Sequence, residues 1–128
     1  MEKIIRDNVH LIPHPDYQDM KIRKVASIIE HIGFLVAKIQ EENQEIQKAQ
    51  GEEKANEICD LLEVYDTLIY LYGEINDIGM QGRISFYRDK LLEIIPDFNF
   101  SLEKIGKIQE DKRKKKGGFR KGIIWTYN

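Results

Sequence analysis

KIQEENQEIQKAQGEEKANEICDLLEVYD, residues 38–66, is the stretch that decides the fold. It reads as two helices joined at Gly51, and each carries two acids three residues apart: Glu42 and Glu45 on the first, Glu57 and Asp60 on the second. Residues three apart share a helix face, so each pair is able to aim its carboxylates at one point. If the helices fold back on each other, four carboxylates converge. Four anions in one place repel unless a cation neutralises them, and hard oxygen ligands suit Mg²⁺, Mn²⁺ or Ca²⁺.

Most glutamates on helices face water, so spacing alone does not make a site. The place of these acids in the apolar pattern argues for one. Ile32, Leu35, Ile39 and Ile46 follow the spacing of one buried stripe. The step missing between Ile39 and Ile46 is Glu42, a carboxylate in a core-facing position. Leu61, Val64, Leu68 and Leu71 form a second stripe; one turn back it meets Glu57, with Asp60 beside it. An unpaired buried carboxylate must be neutralised or paired. Both helices place acids at the same end of their stripes, next to the shared turn, which favours a metal site over a solvated face.

Working outward, the chain of 128 residues is 41% apolar, enough for one globular domain spanning residues 1–128. Cys59 is the single cysteine, so no internal disulfide forms; it reads as a small buried side chain rather than a nucleophile. No N-terminal run has the pattern of a secretory signal, and no apolar stretch approaches the ~20 residues of a membrane span. The expected setting is cytoplasmic, without a membrane partner. The net charge of −2 conceals an asymmetry: residues 112–121, KRKKKGGFRK, hold seven of the 20 Lys and Arg and no acid. A positive cluster on an acidic body suits an anionic ligand, or a tail folded back over an acidic site.

The expected fold is all-α, a four- to five-helix bundle around a core antiparallel helix pair, with short terminal strands. Ile4 and Ile5 lie in a short strand or extended arm, and Ile123, Ile124, Trp125 and Tyr127 form a short strand to pair with it. Pro13 and Pro15 keep residues 11–19 in a loop. The first helix is expected from about residue 17 or 20 to about 49, capped by Asp16 or Asp19. The second covers about 52–73 and is apolar on more than one side, hence central. Residues 74–82 read as a linker with Gly79 and Gly82, followed by a helix over 83–95 that Pro96 ends. Ser101 caps a last helix to about 114. His10, His14 and His31 have no ligand spacing and read as surface or loop residues. Asp66 lies off the face of Asp60, a solvated position or a substrate contact. Tyr65, Tyr70 and Tyr72 read as core and interface aromatics.

These motifs resemble the all-α nucleotide pyrophosphohydrolases, the MazG-like superfamily, and within it the phosphoribosyl-ATP pyrophosphohydrolase-like branch. The family pattern is E-x-x-E, a short gap, then E-x-x-D, here ENQE at 42–45 and EICD at 57–60. KIIRD at 3–7 looks like the branch's opening K-L-V-R-D. KKKGGFRKGIIW at 114–125 looks like its closing K-R-G-G-F-x-K-G-I-V. Residues 74–99 are longer than the link usual in this branch and read as an insertion: a lid, a base-recognition element or an oligomer contact.

The resemblance implies metal-dependent hydrolysis of a nucleoside triphosphate between its α and β phosphates, giving a monophosphate and pyrophosphate, in the manner of nucleotide-pool house-cleaning. It implies Mg²⁺, with Mn²⁺ as substitute, held by Glu42, Glu45, Glu57 and Asp60. Mg²⁺ takes only one or two carboxylates, so four acids serve either two metals or one metal and a general base. Glu41 is the alternative ligand or water-orienting group. Lys38 would meet a phosphate, while Arg6 and the turn Lys116-Gly117-Gly118-Phe119 would approach the nucleotide. Phe119 is either a stacking partner for the base or a core anchor. A homo-oligomer, dimer or tetramer, is also implied. The competing reading is a non-catalytic helical module that binds nucleic acid or a partner through residues 112–121. The acidic remainder of the surface argues against nucleic acid.

Overall fold

The computed structural model describes residues 1–127. Helix α1 (Ile28–Lys48) and helix α2 (Gly51–Glu74) are joined by Ala49 and Gln50 alone, which folds them back on each other. Gly51, expected to end the first helix, instead opens the second in a left-handed conformation, φ 58°. That conformation suits glycine. Helix α2 is the centre of the bundle. Ala55, Ile58, Leu61, Leu62, Val64, Leu68 and Leu71 are buried along it, and α1, α3 (Ile78–Ile94) and α4 (Leu102–Lys116) all pack against it. Cys59 is buried there too, with its thiol 3.4 Å from the Ile105 carbonyl. Burial pushes that thiol up to about 11, which suits a packing role rather than a nucleophile.

A three-stranded antiparallel sheet closes one end, in the order β1 (Glu2–Ile5), β3 (Ile123–Thr126), β2 (Lys21–Lys24). Ile4 pairs with Ile124 and Ile5 with Ile123, as the terminal apolar pairs predict. Strand β2 corrects the expected start of the first helix. Lys21–Lys24 pairs along β3, and α1 begins only at Ile28, where the Ser27 hydroxyl accepts a hydrogen bond from the Glu30 amide. The Ser27 cap marks that boundary more strongly than Asp16 or Asp19. Arg23 then ties the sheet to α1, reaching Glu2 and Glu30 at 2.7 Å each.

Helix α3 also starts earlier than expected. Asp77 caps it through the Met80 amide at 3.1 Å, so Gly79 and Gly82 lie inside a helix rather than in a linker. The segment 74–99 is therefore a packed element that buries Ile84, Leu91 and Ile95. His31 corrects a second expectation. It is buried, not on the surface, with Nε2 2.7 Å from the Phe119 carbonyl, and it pins α1 to the loop before β3. No helix of the described residues is long and apolar enough to cross a membrane.

Candidate metal centre

The α1–α2 hairpin brings together three of the four expected acids. Oxygens of Glu42, Glu57 and Asp60 lie within 4.8 Å of one another. Glu45 is exposed and outside this group. The buried line of α1 steps from Glu42 to Ile46, four residues on, which turns Glu45 towards solvent.

Glu42 is the acid whose environment is most unusual. It is 3% exposed, and its Oε2 has no hydrogen-bond partner. Its other oxygen lies 3.4 Å from Lys38 Nζ. Burial pushes the Glu42 carboxyl up to about 9; the neighbouring Glu57 carboxyl adds to this, and the Lys38 ammonium opposes it. Glu42 therefore holds its proton to higher pH than an ordinary carboxyl does. An orphaned buried carboxylate oxygen facing two further carboxylates is a donor set that fits a hard divalent ion.

Asp60 is held from the other side. Its Oδ1 accepts from Arg6 Nε at 3.1 Å and Nη2 at 2.6 Å, and lies 2.7 Å from Lys112 Nζ. Arg6 is 6% exposed and gives its remaining nitrogen, Nη1, to the Gly117 carbonyl at 2.8 Å. Three of its donors are engaged within the protein, which lets it position Asp60, and its side chain also lines the cleft beside Asp60.

In the glycine turn, the Gly117 amide closes α4 on the Arg113 carbonyl at 3.0 Å, so that amide is not available to an anion. The two glycines serve close packing. A Cβ on Gly117, φ 79°, would sit 2.9 Å from the Asp7 Cβ, and one on Gly118 would sit 3.0 Å from Glu63 Oε2. Gly117→Ala should destabilise the fold by about 1–3 kcal/mol through strain and contact, read as a lowered midpoint in urea. Phe119 is 1% exposed and anchors the core, with the Arg6 guanidinium 5.3 Å from its ring centre, where it borders the cleft beside Asp60.

Lys38 and Glu41 stay at the rim. Lys38 Nζ lies 3.5 Å from Glu41, and Lys3 reaches the same oxygen at 3.5 Å. Beside Asp60 opens a cleft of about 210 Å³ lined by Lys3, Lys38, Lys112, Lys116 and Trp125. Three of these ammonium groups already face acids: Lys3 faces Glu41, Lys38 faces Glu41 and Glu42, and Lys112 faces Asp60. A larger cleft of about 820 Å³, between Asp66, Tyr70, Arg113 and Arg120, includes none of the three clustered acids.

Of the two readings of the basic run, the ion pairs bear out a segment folded back over acids. Lys112 turns in to Asp60, and Arg113 turns in to Glu63 at 2.8 Å, with Gln109 bonding Glu63 and Asp66. Lys114 pairs with Glu110 on the same helix at 3.0 Å. The signal lay in the match between a cationic α4 and an acidic face of α2, which only their packing pairs residue by residue. Comparison with family models, with curated proteins and with solved structures finds no match to this chain.

Proposed function

We propose that the protein is a divalent-metal-dependent nucleotide pyrophosphohydrolase that cleaves a nucleoside triphosphate to a monophosphate and pyrophosphate. One observation carries this reading: three carboxylates with an orphaned, buried oxygen stand directly beside a small cleft walled by four lysines. The acids suit a divalent ion and the lysines suit a phosphate chain, and a triphosphate–metal complex asks for both at once. Glu42, Glu57 and Asp60 would hold Mg²⁺, for which Mn²⁺ can substitute. When bound, the ion supplies charge neutralisation, orientation of the phosphates and a more acidic water.

The chain's own groups do the rest. Lys38 and Lys116 neutralise the phosphate chain. Arg6 keeps Asp60 in place. Glu41, at the rim and partly solvated, is placed to orient a water or accept its proton. A nucleic-acid module draws little support, because Lys112, Arg113 and Lys114 already face acids of their own chain.

Incubation with Mg²⁺ and a panel of nucleoside triphosphates, with chromatography of the products, tests the reading. Monophosphate and pyrophosphate in equal amounts are expected. Glu57→Gln should lower the rate about a hundredfold if the ion supplies about 3 kcal/mol of transition-state stabilisation, while circular dichroism stays unchanged. No cleavage of any triphosphate with Mg²⁺ or Mn²⁺ would sink the proposal.

A further inference from the structure

Asp60 carries two cationic partners of very different kinds, and both bind the same oxygen, Oδ1. Arg6 is buried, forked and tied to the Gly117 carbonyl. Its departure would leave that carbonyl and a buried guanidinium without partners. Lys112 reaches Asp60 with one ammonium on a flexible four-carbon stem, with a further long bond of 3.5 Å to the Asn56 carbonyl; it is less buried and forms part of the wall of the lysine-lined cleft. An incoming divalent ion repels both cations, and of the two that border the cleft Lys112 is the less firmly held.

We propose that Lys112 is an exchangeable counterion: it neutralises Asp60 until a divalent ion arrives, then moves into the cleft and joins Lys38 and Lys116 in binding phosphate. This rests on the reading of Glu42, Glu57 and Asp60 as a divalent-ion site. The exchange makes each ligand favour the other. The ion frees an ammonium for the phosphate chain, and a phosphate chain that engages that ammonium relieves the ion of a competitor at Asp60. It gives the metal-free protein a neutralised Asp60 and gives the loaded protein an extra cation in the cleft, with no change of fold. Lysine suits this role because its compact ammonium moves on rotatable bonds, whereas arginine would grip the carboxylate with two donors.

The test measures binding rather than turnover. Mn²⁺ is titrated into the full-length protein and free Mn²⁺ is read by electron paramagnetic resonance. Inorganic pyrophosphate is then titrated calorimetrically at saturating Mg²⁺. Lys112→Met should bind Mn²⁺ about tenfold more tightly and pyrophosphate about tenfold more weakly, the worth of one charge-assisted contact in each state. Lys112→Arg should bind Mn²⁺ more weakly than the unaltered protein. Lys115→Met, an exposed charge on the same helical turn, should shift Mn²⁺ affinity by less than about twofold, because surface charges are screened.

The exchange is overturned if Lys112→Met leaves Mn²⁺ affinity unchanged or weakens it. It is equally overturned if Lys115→Met tightens Mn²⁺ as much as Lys112→Met does, since net charge alone would then account for the effect. A protein that shows the expected shifts but cleaves no triphosphate supports the exchange and fails only the pyrophosphohydrolase reading. A protein that takes up no Mn²⁺ fails both.

Discussion

Glu42→Gln makes the metal-free protein more stable at alkaline pH and removes its stabilisation by divalent ions. The carboxyl of Glu42 is pushed up from 4.5 to about 9, first by burial, then by the neighbouring Glu57 carboxyl, against the pull of Lys38. The folded state therefore holds this proton where the unfolded chain has released it. The group's contribution to stability is fully present below pH 4.5, falls as pH rises, and is gone once pH passes about 9. At about 1.4 kcal/mol per pKa unit the loss amounts to several kcal/mol. Glutamine keeps the shape and cannot ionise, so thermal melts in EDTA between pH 5 and 10 should fall with pH for the unaltered protein and stay flatter for the variant. Mg²⁺ or Mn²⁺ should restore the unaltered protein, most strongly at high pH, because the ion takes the place of the proton. The variant should show little of this lift. A pH dependence and a metal response that survive in Glu42→Gln would make Glu42 an ordinary buried acid.

Much of the bundle was legible because its signals are local. Glu42 fills a gap in an apolar stripe, and that anomaly marked it as buried before any coordinates. Glu57 and Asp60 share a helical face by spacing alone, and the connection at Gly51 made the hairpin predictable. Ile4–Ile5 and Ile123–Ile124 announced their pairing by composition. The failures have a common physical cause. Glu45 obeys the same spacing rule as Glu42, but spacing fixes only relative direction, and the buried line through Glu42 and Ile46 leaves it outside. Gly79 and Gly82 suggested a linker, yet packing of Ile84 and Leu91 on α2 outweighs a glycine penalty of about 1 kcal/mol each. His31, Lys112 and Arg113 have partners more than forty residues away in sequence. Their roles depend on how α4 and the C-terminal loop return to the hairpin. No window of sequence contains that information.

Removing Asp60 or Arg6 should cost unequally. Asp60→Asn leaves the Arg6 guanidinium, only 6% exposed, without its charged partner. Breaking a buried pair in this way costs about 3–5 kcal/mol. Arg6→Met is milder, because Asp60 retains Lys112 at 2.7 Å; its main cost is the Gly117 carbonyl left unbonded, about 1–3 kcal/mol. The double variant should lose less than the sum, with a coupling of about 1–3 kcal/mol in urea denaturation, as expected for residues in one network. The ordering matters for the function as well as for the fold. If Arg6 holds Asp60 and does not meet substrate, Arg6→Met should weaken Mn²⁺ binding as well as stability, and its effect on pyrophosphate affinity at saturating metal should be small. Costs that add to within about 0.5 kcal/mol, with a loss confined to pyrophosphate binding, would return Arg6 to the phosphate chain. They would also leave Asp60 to be positioned by Lys112 alone, the one partner that the proposed exchange requires to depart.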